Sequence, residues 1–122
     1  MGDRAIIVVK SDDQIGCCGV YLHWCGCEAL TMLSEAIPRM RKGDQDYSIA
    51  RLIGEFHNKL DGNTGLGVWP APTKEDFENG FKAYTEWDAG VIVYDCSTGK
   101  VTCHAGYLTE KHEEDQFAVP PE

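Results

Sequence analysis

Long apolar runs are absent from this sequence. The run nearest the N-terminus, AIIVV at residues 5–9, has five residues. A membrane-spanning helix needs about 20, and a secretory signal needs about 7–15 followed by a cleavage site of small residues. Met1 and Gly2 are followed by neither Ser nor Thr at the position that myristoylation requires. The sequence therefore predicts a soluble cytoplasmic protein without a membrane partner.

Basic residues are scarce. The chain has 11 Lys and Arg against 20 Asp and Glu, a formal net charge of −9. A field of this sign repels nucleic acid and anionic lipid, so we expect no direct nucleic-acid binding. It favours a basic protein partner, including one whose own basic groove normally holds nucleic acid. The alternative is that the charge serves only solubility.

Nucleotide-binding signatures and internal repeats are also missing. The sequence has neither G-x-G-x-x-G nor the P-loop pattern, and its elements do not alternate as in a doubly wound fold. Its 122 residues, 43% hydrophobic and 25% charged, are typical of one globular domain. We assign this domain to residues 1–108 and predict a frayed, acidic tail at residues 109–122.

The segments that remain have the patterns of strands and helices. Strand composition or alternation marks residues 4–10, 19–24, 66–69, 89–95 and 101–107. Helical spacing marks residues 28–40, with a kink or break near Ile37 where Pro38 interrupts the pattern, and residues 46–60, with Asp46 as the N-cap. A third helix opens at the capping signal of residues 73–76 and is predicted to carry Phe77, Phe81 and Tyr84 on one face. This order predicts an α+β domain, with an antiparallel sheet of four to five strands and two to three helices packed on one face.

Several polar and aromatic side chains are candidates for contact with a partner or ligand. Trp69 lies between Gly67 and Pro70 in a loop rich in Gly and Pro, where it either faces a partner or caps the core. Tyr21 and His23 share one face of their strand, and Asn63 belongs to the same loop region as Trp69. The remaining aromatic residues are expected in the core: Trp24, Phe77, Phe81 and Tyr84.

The sequence contains six cysteines, and thiolates are among the preferred ligands of zinc. The six thiols are expected to be reduced, and the favoured interpretation is that they pack as small buried hydrophobes without a cofactor. The alternative is a structural zinc site with Cys25, Cys27 and either Cys17 or Cys18 as ligands, completed by Cys103 or His104.

A thiol nucleophile is a further alternative. Cys25 precedes a predicted helix, whose dipole can lower a thiol pKa, and His104 and Asp95 are candidates for a base and its orienting group. No protease signature surrounds any cysteine. A two-residue turn at Thr98 and Gly99 would place Cys103 opposite Tyr94, with Cys96 and Cys103 packed separately rather than bonded.

Two stretches carry a resemblance to known proteins. YLHW-x-G at residues 21–26 and AGV-x-V-x-D at residues 89–95 resemble segments of small uncharacterised proteins from phages, plasmids and other mobile elements. The resemblance implies an accessory gene, such as an anti-CRISPR or gene-cassette product, and brings no catalytic residue with it. Such proteins often act by binding another protein.

These observations together predict a non-enzymatic interaction protein. It would bind a host protein or pair with a second copy, through a sheet edge or through residues 63–72. The alternatives are a module that binds a small molecule or zinc, and a small cysteine-dependent enzyme.

Overall fold

The fold is described from a computed structural model. It covers residues 3–11, 14–15, 18–24, 26–60, 65–84 and 88–111. The predicted tail from residue 112 onward, and the candidates Cys17, Cys25 and Asn63, lie outside these residues.

A mixed sheet forms the centre of the fold. Its five main strands follow the spatial order β4-β3-β1-β5-β6, and the two-residue strand β2 pairs with β1. The strands are β1 (Ala5–Ser11), β2 (Gln14–Ile15), β3 (Cys18–Leu22), β4 (Leu66–Pro70), β5 (Gly90–Asp95) and β6 (Val101–His104). The pairings β1–β3, β3–β4 and β5–β6 are antiparallel, whereas β1 and β5 run parallel, with Ile6 opposite Val91. Within the described residues, β4 and β6 are the edges of the sheet.

Four helices accompany the sheet in the described part of the chain. They are α1 (Ala29–Ala36), α2 (Gln45–Leu60), α3 (Lys74–Glu78) and the single turn α4 (Leu108–Lys111). Helix α1 passes into a 3-10 turn at Ile37–Arg39, which confirms the break expected near Ile37. The predicted cap of α2 is wrong, because the Asp44 carboxylate accepts a hydrogen bond from the Tyr47 N–H at 3.1 Å and Asp46 lies within the first turn.

Both faces of the sheet bury apolar side chains. Side chains of α1 and α2, such as Leu33, Leu52 and Phe56, pack with Ile7 and Val20 on one face. Ile6 and Val93 pack with Phe81 and Tyr84 on the other face. The α+β class is confirmed; the structure adds the parallel pair β1–β5 and places the region after α3 on the second face.

Two details differ from the sequence interpretation. Phe81 and Tyr84 follow α3 rather than extending it, because Phe81 adopts a positive φ of 63° after the helix ends at Glu78. In the β5–β6 hairpin, Cys103 lies opposite Ile92 and Tyr94 opposite Val101, so the predicted register is wrong. The turn is longer than two residues: the Asp95 N–H donates to the Lys100 carbonyl, and the Gly99 N–H donates to the Asp95 carbonyl.

None of the described helices is long and apolar enough to cross a membrane.

Candidate functional site

Aromatic rings gather where strands β3 and β4 meet. The register places Tyr21 opposite Gly67, and because glycine has no side chain, the Tyr21 and Trp69 rings approach to a centroid distance of 5.5 Å. The Tyr21 hydroxyl and His23 Nδ1 share a hydrogen bond of 2.6 Å. The Trp24 ring meets the His23 ring edge-on at 4.2 Å. Aromatic pairs at such separations stabilise one another, so the cluster is held in a defined arrangement.

This cluster faces solvent. Trp24 is 50% exposed and Trp69 is 41% exposed, and Val68 on the same strand is 59% exposed. The expected core position of Trp24 is therefore wrong: β3 ends at Leu22, so the alternation that would have turned Trp24 inward does not reach it. We call Tyr21, His23, Trp24, Val68 and Trp69 the aromatic edge.

The backbone of β4 adds hydrogen-bonding groups to the aromatic edge. The His23 N–H donates to the Gly65 carbonyl at 2.9 Å. Antiparallel ladders alternate between hydrogen-bonded and non-hydrogen-bonded pairs. Along the observed register, Gly67 and Trp69 therefore direct their backbone groups toward β3, and Leu66 and Val68 direct theirs outward. No other strand of the described residues pairs with this outer side, which is the geometry of a sheet edge able to accept a further strand.

The sequence interpretation singled out most of this cluster. The structure brings Trp69, Tyr21 and His23 together, whereas Asn63 lies outside the described residues. Reasoning from the sequence missed Trp24 and Val68 as surface residues. The Gly26 that follows shortly after Trp24 was a usable signal, because it marks the end of the strand.

A cavity lies under α3, on the face of the sheet that carries Tyr21 and Trp69 but at the opposite end of that face. Its volume is about 220 Å³, and its lining residues come from β1, β5, β6, the β5–β6 turn and the α3 region: Lys10, Phe77, Phe81, Val93, Asp95, Lys100, Thr102 and His104. We call it the α3 cavity.

Asp95 and His104, the candidates for orienting group and base of a thiol nucleophile, both line the α3 cavity, but each has its own hydrogen-bond partners. Asp95 accepts hydrogen bonds from the Ser97 N–H at 2.9 Å and the Ser97 hydroxyl at 2.6 Å, and it lies 3.7 Å from Lys10 Nζ. His104 Nε2 shares a hydrogen bond of 3.0 Å with the Thr102 hydroxyl. The predicted orientation of His104 by Asp95 is therefore not part of the described geometry.

Burial sets the protonation of several groups near the hairpin. Burial lowers the pKa of His104, so this imidazole is neutral at physiological pH. Burial raises the pKa of the Cys103 thiol to about 11, and it also raises the pKa of the Cys96 thiol. Both thiols are protonated at neutral pH, which makes them poor nucleophiles.

The candidate metal ligands that can be described are dispersed. Cys27 is exposed on the turn before α1, and Cys18 is half-buried on β3. Cys103 packs against the face covered by α1 and α2, whereas His104 stacks on Phe81 on the opposite face. Among the described residues, no group of three or more His, Cys, Asp or Glu side chains is arranged to hold a metal ion. Cys17 and Cys25 fall outside those residues.

The chain matches no family model, no curated protein and no solved structure.

Proposed function

We propose that this chain is a non-enzymatic interaction protein whose aromatic edge binds an extended, basic segment of a partner protein. The segment would add as a strand beside β4, with its backbone paired to the outward groups of Leu66 and Val68. The single observation that carries this proposal is that β4, whose outer side pairs with no strand of the described residues, lies beside the exposed rings of Trp24 and Trp69. Strand addition draws affinity from the backbone and specificity from the flanking side chains.

Charge supports a basic occupant. The net charge of −9 attracts a cationic segment and speeds its encounter with the protein. The exposed indoles also suit such a segment, since a Lys or Arg over a Trp face gains about 0.5–1 kcal/mol at an exposed site. A basic protein that normally holds nucleic acid is the partner class that these properties fit best, and a mobile-element origin would agree with it.

The same charge argues against a second copy as the occupant. Two chains that each carry −9 repel one another as they approach. Pairing of β4 with the β4 of a second copy would also have to accommodate Pro70 from both chains, and proline has no N–H to contribute to a ladder. A basic heterologous segment avoids the repulsion and meets Pro70 from one chain only.

The proposal can be tested before any natural partner is identified. Peptides selected from a random display library against the folded protein would be synthesised and titrated into ¹⁵N-labelled protein. We expect selected peptides with net positive charge, and shifts concentrated at the Leu66 and Val68 amides and the Trp24 and Trp69 indoles. Binding should weaken as salt is added, because the attraction between exposed charges is screened.

A matched pair of variants distinguishes binding at the aromatic edge from nonspecific binding to any exposed aromatic ring. Trp69→Ala should weaken binding by about tenfold or more, as expected for an aromatic anchor. Tyr47→Ala removes another exposed ring, which lies on α2, and should leave the affinity unchanged. Acidic or uncharged selected peptides, shifts elsewhere, or equal effects of the two variants would contradict the proposal. So would a protein that sediments as a dimer and becomes monomeric with Trp69→Ala.

A further inference from the structure

The α3 cavity has the properties of a ligand site separate from the aromatic edge. We propose that it binds a small planar organic anion, a single aromatic or heteroaromatic ring that bears a carboxylate or phosphate group. Three features lead to this class of ligand: the rings in its wall, the sign of charge in its lining, and its size.

Aromatic side chains form one wall of the cavity. The Phe77 and Phe81 rings have centroids 4.8 Å apart, and Phe81 and His104 have centroids 4.7 Å apart. Val93 contributes an apolar surface from β5. A planar apolar ring fits such a wall, because it can meet the half-buried Phe77 and His104 rings at the usual separations, with the buried Phe81 ring packed behind them.

The polar part of the lining favours an anion. The described lining residues include two ammonium groups, Lys10 and Lys100, and one carboxylate, Asp95. The hydrogen bonds from Ser97 and the ion pair with Lys10 already satisfy that carboxylate. Lys10 offsets the charge of Asp95 and His104 adds none, so two ammonium groups and one carboxylate leave the described lining with a small positive excess in a protein of net charge −9. Thr102 offers a hydroxyl beside the imidazole, a further hydrogen-bonding group for an acidic ligand.

The size of the cavity restricts the ligand. Pockets for drug-sized ligands enclose roughly 300–1,000 Å³, and the α3 cavity encloses about 220 Å³. One ring with one acidic group fits this volume. The cavity lies between the ends of the parallel strands β1 and β5 and the β6 edge, and the carboxyl ends of neighbouring parallel strands are a frequent place for ligands in open sheets.

The test uses three probes with the same ring: benzoate, phenyl phosphate and the neutral benzamide. Each would be titrated into the ¹⁵N-labelled full chain. We expect saturable shifts at Phe81, Thr102 and His104 with benzoate or phenyl phosphate, and affinity about tenfold lower for benzamide, which lacks the charge that the lysines attract. The stronger of the two anions identifies the acidic group.

Substitution of the cavity lysine provides the control for charge. Lys100→Gln should reduce affinity for the stronger anion by about fivefold or more. Lys82 lies on the 3-10 turn after α3, outside the described lining. Lys82→Gln removes the same charge and should change the affinity for the anion little. Benzamide binding equal to that of both anions, equal effects of the two variants, or no saturable shift with any probe would overturn the proposal. The aromatic edge contributes no residue to this cavity, so failure here leaves the proposed function standing.

Discussion

Close backbone approach makes Gly90 a residue on which the fold depends. It lies at the start of β5 with a φ of 105°, a conformation that side chains rarely adopt. A Cβ there would lie 2.3 Å from the His104 carbonyl oxygen and 2.6 Å from the Gly106 nitrogen. Both contacts are with backbone, so no rotamer change can relieve them.

Gly90→Ala should therefore be strongly destabilising, by about 2 kcal/mol or more. Gly54→Ala is the matched control, because Gly54 lies within α2 and an added Cβ there meets no atom within 4 Å. The free energy of unfolding of Gly54→Ala should rise by about 0.5–1 kcal/mol, because alanine has a higher helix propensity than glycine. Urea denaturation of both variants measures the two effects, and similar free energies of unfolding would refute the reasoning about close approach.

Asp95 links stability to pH. Burial would raise its pKa, but the hydrogen bonds from Ser97 and the charge of Lys10 outweigh burial and lower the pKa below its ordinary value. A lowered pKa in the folded state means that Asp95 contributes stability above the unfolded value of about 3.9. This contribution is lost as pH falls through the folded pKa.

Asp95→Asn removes that titration. The free energy of unfolding of wild type should exceed that of the variant near neutral pH, and the gap should narrow below about pH 4. Chemical denaturation from pH 3 to pH 7 provides the measurement. If the free energies of unfolding of wild type and variant differed by the same amount across that range, the Asp95 carboxylate would have the same pKa in the folded and unfolded states.

Single residues were predictable where alternation alone decides their direction. Alternate residues of an extended segment point to the same side, so the sequence could predict that Tyr21 and His23 share a face, although β3 itself ends at Leu22. Trp24 and Cys103 did not follow, because their positions depend on where β3 ends and on how many residues the β5–β6 turn contains. A shift of two residues in a turn changes every cross-strand neighbour.

Among the elements, α3 shows how far a local signal reaches. The capping box was readable from the sequence and is present: the Asp76 N–H donates to the Thr73 hydroxyl at 3.1 Å, and the Thr73 N–H donates to the Asp76 carboxylate at 2.8 Å. The helix nevertheless ends at Glu78. The packing of Phe81 against His104 and Tyr84 then decides the path of the chain, and the contact with His104 is long-range.

Thr73→Ala should destabilise the protein by about 1 kcal/mol, since the first turn of α3 loses its side-chain cap. Thr31→Ala supplies the comparison, because Thr31 is an exposed residue within α1 and alanine has the higher helix propensity. Thermal denaturation should show a lower midpoint for Thr73→Ala alone. A loss of equal size at Thr31 would indicate that the cap contributes nothing specific.

Strand β1 carried a signal about the sheet that alternation does not give. Its near-continuous β-branched run is typical of a strand that is buried on both faces, as parallel strands usually are. The structure agrees: Ile6 and Ile7 contribute to different core clusters, and β1 pairs in parallel with β5. The paired residues of β1 and β5 are 85 positions apart in the sequence, as Ala5 and Gly90 are, and no local pattern specifies a pairing of that range.

At the scale of the whole molecule, acidity and the aromatic edge form one account of function. In the proposed function, the net charge of −9 favours basic partners, and the outer side of β4, with which no described strand pairs, offers them a backbone to pair with. The sequence alone could supply the charge and the exposed tryptophan candidate. It could not supply the convergence of the rings, which requires the β3–β4 register. The α3 cavity was equally hidden, because its lining residues are spread from Lys10 to His104.

The most direct measurement compares two substitutions at one outward-facing residue of β4. Val68→Pro removes the backbone N–H that an added strand would use, and edge strands tolerate proline where the N–H points away from the sheet. Val68→Thr keeps the N–H and the branched shape. With a selected basic peptide and calorimetric titration, the account predicts a loss of about tenfold or more for proline and less than about twofold for threonine. Equal affinities for the two folded variants would contradict strand addition at β4.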